Sequence, residues 1–185
     1  SIENIDNKDF HNQRTWVDIE DIAQVMVRAV IASEDGRFMT HHGFDFEEID
    51  KMMDEHERKG KKIRGCSTIS QQTAKNCFTF GSKTWLRKGV EAYYTFLIEL
   101  IWGKKRIMEV YLNVAETGKG LYGVEAASMK YFKRHASALT QDQAICLACI
   151  LPNPLVRRPD NVSSRHRTKY DTVARNLKYT PYPFK

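Results

Sequence analysis

Two acidic residues, Glu34 and Asp35, follow directly on an apolar run in ASEDGRFMTHHG, next to Phe38, His41 and His42. A carboxylate held against apolar surface has its charged form disfavoured, which suits it to general acid or base work near neutral pH. The same spacing also fits a solvated helix end, where an acid is merely unfavourable with the helix dipole. Further on, RGCSTISQQTAKN packs Ser67, Thr68, Ser70, Gln71, Gln72, Lys75 and Asn76 into little more than two helical turns. Small hydroxyl residues at a helix start, with a lysine one or two turns on, suit an anion such as a phosphate. An ordinary capped polar helix has the same composition, and the stretch lacks the GK[ST] ending of a P-loop. In RKGVEAYYTFLIELIWGKKRIMEVYLN, Arg87, Lys88 and Glu91 occupy adjacent turns. They form either a surface ion pair or a second carboxylate held beside cations in a cleft.

The elements that position these residues are mostly helical. Only 5 Pro and 10 Gly punctuate 185 residues, and apolar residues recur at three- and four-residue spacing. The spacing predicts helices over Asp21–Ser33, Phe46–Glu57, Thr84–Trp102, Lys104–Ala115 and Arg165–Leu177. Thr68 with Gln71, and Thr140 with Gln143, read as capping boxes that start two more helices, one after Gly65 through Asn76 and one over AICLACIL. After Glu57 the polar run ERKGKKIRG reads as a loop. No repeat is visible, and the strand-like segments are too short for a sheet core. The aromatic run Trp85, Tyr93, Tyr94, Phe96 and Trp102 reads as core and interface packing.

Composition bounds the partners. The chain is 42% hydrophobic and 28% charged, enough for one substantial core, so residues 1–185 read as a single domain. Its net charge of +6 points towards anionic partners such as nucleic acid, phosphate esters or an anionic membrane surface. No apolar stretch reaches the ~20 residues of a membrane span. Cys146 and Cys149 form a CxxC within an apolar helix and read as buried structural thiols.

In order along the chain, EDxxFxxHxG (Glu34 to Gly43), GxSTIxQQxxKN (Gly65 to Asn76), RKxxE (Arg87 to Glu91) and KxxIxExYLN (Lys104 to Asn113) resemble the signature motifs of peptidoglycan glycosyltransferases, glycosyltransferase family 51. The likeness continues through GVEAASMKYF and LTQDQAICLACILPNP, so the motif-bearing core covers about residues 20–160. It is most similar to the monofunctional biosynthetic transglycosylases, since no SxxK, SxN and KTG set of a transpeptidase is present.

That resemblance implies a mainly α, lysozyme-like fold and polymerisation of lipid II into β-1,4-linked glycan strands, with release of undecaprenyl pyrophosphate and inhibition by moenomycin. It implies that Glu34 is the general base for the acceptor 4-hydroxyl and that Glu91 is a second essential glutamate near the donor pyrophosphate. Lys75, Arg87 and Lys88 are implied as its cationic partners. Ser67, Thr68, Gln71 and Gln72 are implied to bind sugar or phosphate oxygens, Asp35, Phe38 and His41 to shape the first site, and Asn76 and Asn113 to support it. A divalent cation, Mg or Mn, is an optional cofactor, and the metal ligands stay unassigned.

The implied partners are lipid II, the nascent glycan strand, the membrane surface and other cell wall synthesis or division proteins, with no nucleic acid. The implied location is the outer, periplasmic face of the cytoplasmic membrane. A chain starting at Ser1 rather than Met is expected to have lost an N-terminal membrane anchor. Phe44, Phe46, Met52 and Met53, followed by Lys59, Lys61, Lys62 and Arg64, read either as apolar anchors with a basic rim near lipid or as a surface loop. Cys66 departs from the small residue usual at its position, and Arg157, Arg158 and Arg165 keep open roles. A lysozyme-like hydrolase or lytic transglycosylase would not need the cations grouped around both acids. A basic nucleic-acid module would leave the acids and STISQQ unexplained.

Overall fold

Small and branched apolar residues dominate QVMVRAVIASE, and they form α1 (Gln24–Glu34), with Met26, Val27, Ala29, Val30, Ile31 and Ala32 all buried. The burial runs nearly all round the helix, as expected of a central rather than a surface helix. This computed structural model describes residues 13–60, 66–79, 84–159 and 164–185. The start predicted at Asp21 falls later, because Ile19–Asp21 closes into a 3-10 turn before the helix begins.

Two helices pack against α1 and against each other. One is α7 (Gln141–Ile150), which begins with the predicted capping box: Thr140 N–H donates to Gln143 Oε1 at 3.0 Å, and Gln143 N–H to Thr140 Oγ1 at 3.4 Å. The other is α8 (Ser164–Leu177). Arg28 of α1 donates to the carbonyls of Leu177 (2.9 Å) and Thr180 (2.7 Å), placing a cation at the C-terminal end of α8. Cys146 and Cys149 sit in α7 as free thiols, and burial pushes Cys149 up to about 11.

On the other side of the core, α3 (Ile69–Phe78) packs against α4 (Trp85–Ile101) and α5 (Gly103–Val114). Every residue from Ile107 to Asn113 is buried, and two polar ones anchor the N-terminal segment. Asn113 accepts from Val17 N–H (2.9 Å) and donates to Val17 O (2.8 Å), while Glu109 accepts from Ile19 N–H (3.1 Å). The supporting role expected of Asn113 therefore has a structural content: it pairs with a passing backbone as a strand would.

A three-stranded ribbon in the order β1-β3-β2 sits beside α6. Here β1 (Gln13–Arg14) runs parallel to β3 (Leu121–Tyr122), and β2 (Glu116–Gly118) runs antiparallel to it. The helix that GVEAASMKYF forms, α6 (Val124–Phe132), was not predicted; it starts at Gly123, whose φ of 81° and close approach to the Asn113 carbonyl leave no room for a Cβ. The architecture is mainly α, consistent with a lysozyme-like domain.

Two surface features differ from the sequence reading. Helix α2 (Phe46–Lys59) extends two residues beyond Glu57, ends at Gly60 with φ 60°, and buries none of its residues. Lys61, Lys62 and Arg64 lie outside the described residues. Of the aromatic run expected to pack, only Tyr94 and Trp102 do so, around Phe78, whereas Trp85, Tyr93 and Phe96 are exposed. With Leu86, Leu100 and Ile101 they form an apolar ridge along α4.

Candidate active site

Glu34 is the last residue of α1, and its carboxylate is met by its helix neighbour Ser33 and by side chains from two other elements, α3 and α8. Ser33 Oγ donates to Oε1 at 2.7 Å and also contacts the Ala148 carbonyl of α7 at 3.2 Å. From α3, Gln72 Nε2 faces Oε2 at 3.4 Å. From α8, Lys169 Nζ lies 3.8 Å from Oε1 and donates to the Ser33 carbonyl at 2.7 Å. The side chain is 8% exposed, so this acid is a held group at the edge of the core rather than a solvated helix end.

Asp35 turns away from it. Its backbone leaves the helix at φ −160°, and its carboxylate takes the His41 Nε2 (2.9 and 3.0 Å) and the Ile69 N–H at the start of α3 (2.9 Å). The predicted capping box of α3 is present in full: Thr68 N–H donates to Gln71 Oε1 at 3.0 Å and Gln71 N–H to Thr68 Oγ1 at 3.1 Å. The Thr68 hydroxyl donates onward to the Gly43 carbonyl at 2.6 Å. Gly43 has φ 88° and would clash with Thr95 if it carried a Cβ. Asp35, His41, Gly43, Thr68 and Gln71 thus clasp the first motif to the N-terminus of α3.

Phe38 is fully buried, with Lys104 Nζ 4.6 Å above its ring. That lysine donates to Glu99 at 2.6 Å, and Glu99 also accepts from Ser70. Phe38 therefore shapes the site through packing. Ser67 is exposed just before the N-cap of α3, and Lys75 and Asn76 are exposed on its C-terminal half.

Glu91 is buried in α4, with both oxygens committed: Lys88 donates to Oε1, and Arg87 Nη1 lies 3.5 Å from Oε2. The Arg87 Nε is buried without a hydrogen-bond partner among the described residues. A carboxylate paired with two cations is a firm anchor for them.

These surroundings do not fit a divalent cation at Glu91. Asp35, His41 and Asp45 place ligand-type atoms within 4.8 Å of one another. Asp35 is committed to His41 and Ile69, and Asp45 to Arg37 (3.3 Å) and the Glu48 N–H (3.0 Å), so a metal would have to displace a guanidinium. No step below runs through a metal.

Several members of this arrangement escaped the sequence reading. Lys169 lies where the motif likeness fades, and no local pattern points to it. Glu99 hides in the apolar FLIELI, and Tyr111, whose hydroxyl donates to Gln72 Oε1 at 3.2 Å, was legible only as part of KxxIxExYLN. Arg157, left open, is tied to the Cys149 carbonyl at 2.8 Å.

The sequence profile described as transglycosylase matches residues 2–178. A biosynthetic peptidoglycan transglycosylase of Haemophilus influenzae is 50% identical, over 89% of this chain and 67% of the relative. Proteins of the same name from a Marinomonas species (49%, over 89% of this chain and 73% of the relative) and from Mannheimia succiniciproducens (47%, over 91% and 69%) are similarly close. With the four motifs in order and the two glutamates set in helical frames, the chain belongs to the transglycosylase family.

Proposed function

We propose that the chain polymerises lipid II, with Glu34 as general base and the Arg87–Lys88–Glu91 group as the cradle of the donor pyrophosphate. Membership of the family gives the reaction class, peptidoglycan glycosyl transfer in bacterial cell wall synthesis. In this reading Glu34 takes the proton of the acceptor 4-hydroxyl. The oxygen forms a bond to the donor anomeric carbon as the bond from that carbon to the pyrophosphate oxygen breaks, with inversion to a β-1,4 linkage. Undecaprenyl pyrophosphate leaves carrying the displaced electron pair.

Developing charge on that leaving group calls for fixed cations. Arg87 and Lys88 supply them, aimed by Glu91, with Lys75 as a third cation on α3. The observation that carries the assignment is the asymmetry of the two acids: Glu91 has both oxygens bound by cations, while Glu34 is held mainly by neutral donors. Ser67, just before α3, and Gln72 and Asn76 on it are left to meet sugar or phosphate oxygens. Thr68, Gln71, Asp35, Phe38 and His41 serve the site by fixing α3 against the first motif.

The location in this reading is the outer, periplasmic face of the cytoplasmic membrane, with other cell wall synthesis or division proteins as partners. Among the described residues no helix is long and apolar enough to cross a membrane. Exposed Phe46 and Met53 on α2 and the ridge on α4 support a face that meets lipid. The test is polymerisation of lipid II in detergent or vesicles, its inhibition by moenomycin, and its loss in Glu34→Gln with the fold intact. Full activity in that variant sinks the mechanism.

A further inference from the structure

The surroundings of Glu34 include a group that the proposed reaction does not use. Tyr111 of α5 is 1% exposed, and its hydroxyl donates to Gln72 Oε1 at 3.2 Å. Burial, aided by the charges of Glu34 and Asp35, pushes this phenol well above its usual value, so it keeps its proton and remains a donor. The other end of the same amide, Gln72 Nε2, faces two acceptors, Glu34 Oε2 at 3.4 Å and the Ser67 carbonyl at 3.3 Å. An amide has donors at one end and an acceptor at the other, so its orientation follows from its partners.

We propose that Tyr111 is a positioning residue for Glu34, acting through Gln72: the buried hydroxyl holds the amide with its NH2 end towards the catalytic carboxylate. The proposal rests on the reading of Glu34 as the base. A turned amide would set Gln72 Oε1 against both the carboxylate and the Ser67 carbonyl, acceptor against acceptor. Without the phenol's proton, half-buried Gln72 is free to swing away, and Glu34 loses the donor on its Oε2 side. Donors facing a carboxylate favour its ionised form, the form a general base needs.

Among the described residues, Cys149 from α7, Lys169 from α8 and Tyr111 from α5 are the titratable groups that interact with Glu34, with neutral Gln72 from α3, while the adjacent Asp35 turns to His41. Replacing Tyr111 by Phe removes one hydroxyl and leaves the others in place.

The experiment follows lipid II polymerisation across acid and neutral pH for the wild-type chain, Tyr111→Phe, Gln72→Met, the double variant and Glu34→Gln, with thermal unfolding of each. In Tyr111→Phe the acid limb of kcat/KM moves up by about half a pH unit, so activity on that limb falls about threefold, as for loss of one modest hydrogen bond. Gln72→Met alone moves the limb in the same direction, which reads the proposal even if Tyr111→Phe is unstable. In the Gln72→Met background, Tyr111→Phe moves the limb no further. An unmoved limb in both single variants, or an equal shift from Tyr111→Phe with and without Gln72, overturns the positioning role while leaving the base intact. Full activity in Glu34→Gln overturns the base itself, and the two failures are thereby distinguished.

Discussion

Glu34 and Glu91 are both carboxylates set at the edge of the core by a helix, and they are held in opposite ways. Glu91 takes its partners from its own helix, three and four residues earlier, so one stretch of α4 carries the acid and both cations. Glu34 takes its partners from Ser33, from Gln72 on α3 and from Lys169 on α8, residues up to 135 positions away. In the proposed mechanism the difference separates two tasks: the locally paired acid aims two cations, and the acid held from α3 and α8 is the base.

The largest effect expected from breaking this contrast is in Glu34→Gln. Loss of a general base costs about 100-fold or more in kcat, while the melting temperature stays close to that of the wild type; a residual rate near normal would reverse the roles of the two acids. Next comes Arg87→Met or Lys88→Met, where loss of a cation at the developing pyrophosphate lowers kcat about 100-fold. Lys88→Met also lowers unfolding free energy in urea by about 1 kcal/mol, a figure kept small because the lysine is half exposed. Adding Glu91→Gln recovers neither rate nor stability, since Arg87 then loses its own carboxylate partner.

Lys169→Met tests the long-range side of the contrast. A cation beside a carboxylate favours its ionised form, so removing it moves the acid limb of the pH–rate profile upwards and lowers activity there about threefold to tenfold. An unchanged limb with a lowered melting temperature would make Lys169 a purely structural tie to Ser33. The smallest effect concerns Cys149, pushed up to about 11 by burial first, with Glu34 among the lesser contributors. Its thiol stays protonated at neutral pH and resists alkylation, becoming reactive only as pH rises towards that value. Glu34→Gln speeds its modification slightly, and Glu91→Gln leaves it unchanged.

Legibility in the sequence followed the range of each interaction. Both capping boxes were readable because Thr68 and Gln71, like Thr140 and Gln143, meet within a single helical turn. The Arg87–Lys88–Glu91 group was readable for the same reason. Helix α6 was missed because its start depends on the left-handed backbone of Gly123 against Asn113, a contact between separate elements. Which α4 aromatics face the core and which the surface was not legible, because aromatic and aliphatic residues at helical spacing look alike whether they face a core or water. Only the packing of α3 and α5 against the opposite face of α4 decides which.

The sequence by itself determined most of the helices, two capping boxes, the order of the motifs and the presence of two acids set among donors and cations. Those properties are local: they depend on residues within about four positions of one another along a helix. The tertiary structure decided what surrounds Glu34, because its partners arrive from α3 and α8, and through Gln72 from Tyr111 on α5. Those elements meet only when the apolar faces of α1 and α5 are buried, and no spacing along the chain records that meeting.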